Sequence, residues 1–153
     1  MKILHVALAA CLAGGIAGPV LAEQEAPETS YTKTVEAEFD DVAFAVEQAI
    51  TGEGLVIDLT SHVGDMLART KQDVGGAKDL FAHASVFSFC SASISRQAME
   101  ADLANLQFCP YGIFVYETVE APGQIVVGHR INPGSSMAGV NEMLTRIVDS
   151  ALE

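Results

Sequence analysis

The sequence predicts a single α+β domain built on one mixed, mainly antiparallel sheet with helices packed on one face. Two observations carry this. Segments that alternate apolar and polar side chains are separated by segments whose apolar residues recur at helical spacing. Towards the C-terminus two strand-like runs follow one another across Glu120-Ala121-Pro122-Gly123, a turn that makes at least that pair antiparallel. The length, 153 residues without an internal repeat, suits one domain.

Taken in order, Tyr31, Lys33, Val35 and Ala37 alternate with Thr32, Thr34, Glu36 and Glu38 as a half-exposed first strand. Phe39, Val42, Ala43, Val46 and Ile50 then share one side of a helix. Asp40 and Asp41 sit at its positive end, and Gly52 and Gly54 close it. Leu55, Ile57 and Leu59 alternate with Val56, Asp58 and Thr60 as a second strand. A second helix is expected from Ser61 to Gln72, with Val63, Met66, Leu67 and Thr70 on one side and Gly75-Gly76 closing it. Ala84 to Cys90 reads as a third strand, and Ser91-Ala92-Ser93 caps a third helix carrying Ile94, Ala98 and Ala101 on its stripe. Ile113 to Val119 and Gln124 to Ile131 are the hairpin strands. After the turn Asn132-Pro133-Gly134, the residues Met137, Val140, Leu144, Ile147, Val148 and Ala151 mark a last helix. The order is β-α-β-α-β-α-β-β-α.

The segment before these elements bears on location. Met1-Lys2 is a short positive start, Ile3 to Leu21 is apolar or small, and Val20-Leu21-Ala22 offers the small residues that signal peptidase reads. Residues 1–22 are therefore expected to be a signal peptide, and residues 23–30 (EQEAPETS) a flexible leader to a domain at 31–153. The expected location is the periplasm, reached by the general secretory route. Glycines and Pro19 in the segment, and the acidic chain after it, oppose stable membrane insertion once the signal is cleaved. Leu8-Ala9-Ala10-Cys11 resembles a lipoprotein cleavage box, but only ten residues precede that cysteine.

Removing the signal leaves 7 basic against 20 acidic residues, a net charge of −13. Such a surface opposes nucleic acid and anionic lipid, both of which need clustered Lys and Arg. The absence of Trp speaks against a sugar-stacking lectin.

Signal removal also discards Cys11 and leaves Cys90 and Cys109, which bracket the third helix. An even pair in an oxidising compartment invites a disulfide. If the intervening helix runs antiparallel to both flanking strands, the sulfurs lie at opposite ends of the sheet; if it lies across the sheet, they meet. The functional reading is a redox-active thiol: Cys90 precedes a helix start and Arg96 follows within two turns, both of which favour thiolate. No Cys-x-x-Cys is present, so a thioredoxin-like site is not indicated, nor is covalent haem attachment.

His62 and Met66, at i and i+4, share a helix face, and His129 lies between Val127 and Ile131 on a strand face. Imidazole, thioether and thiolate together suit copper or haem iron. Against that, Met66 reads as core filler, His62 as a helix-start residue and His129 as a half-buried residue bonded to backbone. His83 has no suggestive neighbour. Gly134-Ser135-Ser136-Met137-Ala138 lacks the last glycine of a nucleophile elbow, and Gly75-Gly76 lacks the Gly-Lys-Ser/Thr of a phosphate loop. Nothing here demands an enzyme.

Cys90 to Glu117 (CSASISRQAMEADLANLQFCPYGIFVYE) resembles the central segment of the bacterial and archaeal family called domain of unknown function 302. The matching features are Cys109, the run Val115-Tyr116-Glu117 and the helix-to-strand spacing, flanked by Gly54-Leu55-Val56 and Ile131-Asn132-Pro133. Ser91-Ala92 stands where the family has Asn-Pro, and Phe108-Cys109-Pro110 where it has Leu-Pro-Cys. The resemblance implies a compact α+β fold like one half of the TATA-binding-protein saddle, a homodimer, and members placed near sulfur-oxidation or respiratory genes. It implies no reaction. The resulting expectation is a periplasmic accessory or binding domain, with a periplasmic protein as a further partner. The alternative is a thiol-redox protein, or a haem or copper carrier, centred on Cys90 and Cys109.

Overall fold

In the computed structural model, which describes residues 28–153, the strands and helices follow the expected order. They are β1 (Ser30–Glu36), α1 (Phe39–Gly52), β2 (Ile57–Ser61), α2 (Val63–Thr70), β3 (Phe81–Phe89), α3 (Ala92–Ala101), β4 (Tyr111–Thr118), β5 (Gln124–Arg130) and α4 (Ala138–Ala151). Two short 3-10 turns, Leu103–Phe108 and Ser135–Met137, precede β4 and α4. The expected signal peptide, its cleavage site and Cys11 lie outside the described residues.

The five strands form one sheet in the order β1-β5-β4-β3-β2, and all four pairings are antiparallel. Alternation along each strand sorts the side chains. One face presents Phe87, Phe89, Ile113, Val115, Ile125 and Val127 to the helices, all of them buried. Against it lie the stripe Val42, Val46 and Ile50 of α1 and the stripe Val140, Met143, Leu144, Ile147 and Val148 of α4. Asp40 and Asp41 occupy the first turn of α1, and Gly54 takes the left-handed φ of +76° just past its end. The Ser91 hydroxyl accepts a hydrogen bond from Ile94 N and so caps α3.

Among the described residues, no helix stripe covers the middle of the other face, and α2 packs by Gly64 beside β3 at His83–Ala84. Val86, Phe114, Tyr116 and Val126 point to that face, half-buried and outside the core cluster. Phe114 and Tyr116 stack at 6.1 Å, and Phe81 meets Tyr116 edge-on at 5.5 Å. Gly128 lets the Phe114 ring lie down on this face, since a Cβ there would meet that ring at 2.7 Å and Thr32 Cγ2 at 2.8 Å, and would press on the Tyr31 carbonyl.

Several local expectations change. Ser30, placed in the leader by sequence, pairs with Arg130 in β1. A bulge between Ile57 and Leu59 shifts the phase of β2, so Leu59 turns outward, 59% exposed, instead of continuing the face of Ile57. In α2 the buried residue is Gly64, packed on the His83–Ala84 peptide, while Met66 is 38% exposed and is not core filler. The turn at Leu103–Phe108 leaves Leu103 and Leu106 exposed, and with no apolar stripe it has no periodicity to betray it.

Candidate functional site

Cys90 and Cys109 are joined in a disulfide, with Cα atoms 6.5 Å apart and a sequence separation of 19. Strand pairing brings them together. β3 and β4 are antiparallel neighbours with Phe89 opposite Tyr111, so the residue after β3 and the residue shortly before β4 leave the same end of the sheet. The chain between them, α3 and its following 3-10 turn, is an excursion that departs from and returns to one place. The Ser95 hydroxyl and the Tyr111 hydroxyl bond at 3.0 Å beneath it, and Asn105 Nδ2 donates to Ala98 O and Ser136 Oγ. Arg96 does not serve the sulfurs: its Nε donates to Glu100 Oε1 at 2.7 Å on the exposed side of α3.

His129 is 1% exposed, deeper than its sequence context indicates. Its Nδ1 lies 3.0 Å from Arg130 O and its Nε2 3.0 Å from Thr145 Oγ1. A carbonyl only accepts, so Nδ1 carries the proton and Nε2 accepts from the Thr145 hydroxyl. Both ring nitrogens are thereby occupied. Burial pushes the pKa down, opposed in part by the Arg130 carbonyl and by Asp149. Beside it, Asp149 accepts from the Tyr31 hydroxyl and pairs with Lys33, both at 2.7 Å. The two bonds hold the Asp149 carboxyl below its ordinary range, Lys33 contributing first.

His62 and His83 meet in a different place. Both line a hollow of about 240 Å³ between the first turns of α1, the start of α2 and β3. Asp40, Glu47 and Asp65 line it too, over a floor that includes Phe39 and Phe87. The His62 Nδ1 lies 3.3 Å from the hydroxyl of Ser85, which is 5% exposed, and the His83 ring stacks on Phe39 at 4.9 Å. No Lys or Arg enters the lining. Among the described residues no three His, Cys, Asp or Glu converge to hold a metal ion, so the hollow offers hydrogen bonds and negative charge without a coordination cage. Met66 borders a separate depression with His62 and Arg69, where the guanidinium disfavours a cation. His62, Met66, His129, Arg96 and the two cysteines therefore do not form one constellation. His83, Ser85, Asp65 and Glu47, none of them singled out by sequence, share a cavity with His62.

Residues 31–153 match the family described as domain of unknown function DUF302. The chain belongs to this family. A crystal structure of an uncharacterized conserved DUF302 protein from Bacillus stearothermophilus resembles it with a TM-score of 0.65 and 16% identity, covering 80% of this chain and 98% of that one. At that identity the likeness speaks to the fold. No curated protein matches the chain. In this DUF302 domain the run Val115-Tyr116-Glu117 divides its work. Val115 is core, Tyr116 sits in the aromatic run of the open face, and Glu117 Oε1 accepts from Gly123 N to hold the hairpin turn. Asn132, in the family-like Ile131-Asn132-Pro133, exchanges hydrogen bonds with the Asn141 side chain and fastens the turn to α4.

Proposed function

We propose that this DUF302 chain is a small non-catalytic binding domain exported to the periplasm, in which Cys90 and Cys109 are a staple and the His62–His83 hollow receives a small polar ligand. The observation that carries the reading is the closed Cys90–Cys109 bridge at the base of β3 and β4. It takes up both cysteines of the mature chain, so no thiol is left to attack, exchange or ligate. Catalysis needs a base within reach of a nucleophile, with a donor set for developing charge. The Ser85–His62 contact supplies the first of these alone. No observation favours the alternative of thiol, haem or copper chemistry: His129 is saturated with hydrogen bonds and Arg96 is paired with Glu100. A periplasmic protein partner fits an accessory role for the same domain.

The test begins with protein purified from a periplasmic extract without reductant. Its mass should correspond to a chain starting at Glu23. A thiol reagent should find no reactive sulfur in the native protein and two after denaturation with reductant. One fast-reacting thiol at neutral pH, a Soret band or a thiolate-to-copper band would overturn the reading.

A further inference from the structure

We infer that the cleft between α2 and the chain returning to β3 is a second binding site, for a small carboxylate whose apolar body is the size of a phenyl ring. Gly64, Leu67, Ala68 and Lys71 follow one another at i, i+3, i+4 and i+7, and so form one stripe along α2 and its C-cap. The chain then reverses. Gly75 takes a φ of +71° and donates to Gln72 O, and Gly76 N donates to Lys71 O at 2.7 Å, the pair of bonds that closes a helix on a left-handed glycine. The residues that follow, up to Phe81 at the start of β3, face the stripe across a cleft of about 150 Å³. It shares no lining residue with the His62–His83 hollow and is a site apart from it.

Size and wall chemistry set the body of the ligand. The walls are Leu67, Ala68, Val74, Leu80 and Phe81. Val74 and Leu80 are large and apolar, yet they are exposed and stand outside the core cluster. Covering them removes apolar surface from water, which is favourable in proportion to the area covered. A cavity of about 150 Å³ lined by Leu, Ile and Phe takes up benzene. A phenyl ring therefore fills this cleft, and a long acyl chain overruns it.

Charge sets the head group. The chain has a net charge of −12 and 8 basic residues, and two of those, Lys71 and Lys78, line this cleft. Among the described residues the lining holds one carboxylate, Asp79, so the cleft carries one positive charge in excess. The His62–His83 hollow is its opposite, with Asp40, Glu47 and Asp65 and no Lys or Arg. Asp79 Oδ1 takes one of the three N–H donors of the Lys71 ammonium, at 2.9 Å, and leaves two for a ligand. Lys78 meets Glu120 at 3.5 Å with both side chains largely exposed, a contact that costs little to exchange. The Lys71 stem is packed against the turn, since a Cβ at Gly76 would meet its Cγ at 3.0 Å. A monoanion matches the excess of one charge, whereas an amine would face two ammonium groups.

Titration of the mature chain with phenylacetate, followed by backbone amide NMR shifts, tests this. The shifts should centre on residues 64–81, with a dissociation constant of about 1 mM or below. Phenylacetamide, the uncharged isostere, should bind roughly tenfold more weakly, and phenethylamine should leave these amides unmoved. Lys71→Met keeps an apolar stem without the charge; it should weaken phenylacetate roughly tenfold and leave phenylacetamide within about twofold. Ala68→Phe fills the cleft from an exposed position of α2 and should abolish binding with an unchanged circular dichroism spectrum. Should that variant disturb the fold, Lys71→Met decides alone. An absence of shifts in residues 64–81 up to the solubility limit overturns the inference. So does an equal response to phenethylamine, or an affinity for phenylacetate that Lys71→Met leaves unchanged. Decanoate binding more tightly than phenylacetate overturns it in favour of a lipid. Shifts confined to His62, His83 and Ser85 overturn it while supporting the hollow, so this inference and the binding-domain reading can fail separately.

Discussion

His129 shows how much one residue's surroundings decide. Alternation along the sequence places it on a face with Val127, and that much was legible. Its partners were not, because Arg130 O and the Thr145 hydroxyl meet it only once α4 folds back across β5. Burial lowers its pKa from 6.5. As pH falls, the unfolded chain therefore takes up the proton before the folded chain does. The contribution of His129 is complete above 6.5 and declines as pH drops from there towards the depressed folded value. Asp149, held below its ordinary 3.8 chiefly by Lys33, keeps its charge throughout that window and loses its contribution only in stronger acid. The urea midpoint should thus be lower near about pH 5 than near about pH 7.5, and His129→Gln, which cannot titrate, should flatten the difference. An equal slope in the variant would remove His129 from the account. His83 makes the complementary point. Its sequence neighbours say nothing, because Phe39, the ring it stacks on, arrives from a helix more than forty positions earlier.

At the level of elements, the disulfide question turns on strand order. The sequence marks both strands and the helix between them, but not whether the strands are neighbours. Side-by-side antiparallel pairing of β3 and β4 removes the dilemma about which way the helix runs. With 19 positions between the cysteines, the chain-entropy estimate for the closed loop is roughly 3 kcal/mol. Replacing Cys90 and Cys109 together by Ala should lower the unfolding free energy by about that amount, read from guanidinium midpoints at constant slope. A change below about 0.5 kcal/mol would mean that the α3 excursion is held by its other ties, Ser95 to Tyr111 and Asn105 to Ala98 and Ser136. Strong stripes such as those of α1 and α4 were legible in the sequence because burial imposes their period. The bulge in β2 was not, since one unpaired residue leaves local composition unchanged while reversing the side of Leu59.

For the whole molecule the governing quantity is charge. Five ion pairs occur among the described residues, all with at least one exposed partner, and pairs of that kind contribute about 0–1 kcal/mol each. Against them stands a net charge of −12, whose mutual repulsion acts across the entire surface. Salt screens both, but the unpaired excess outweighs the pairs. The thermal midpoint of the chain should therefore rise as ionic strength goes from roughly 0.01 M to roughly 0.15 M, where the screening length falls below ~10 Å. A midpoint that falls instead would place the ion pairs in control. The acidity and the α+β class were open to inspection in the sequence. The open face was not, because Val86, Phe114, Tyr116 and Val126 are scattered over three strands and become adjacent only through register.

The position of β1 has one more consequence, in time instead of space. Among the described residues this strand is the first element to be synthesised, and its one partner in the sheet is β5, about a hundred residues later. A chain that emerges N-terminus first holds β1 with nothing to bond to until almost everything else has appeared. The sheet is completed by its oldest strand, and the contact that closes it is among the most distant in the sequence, which sets the pace of folding by loop closure instead of local preference.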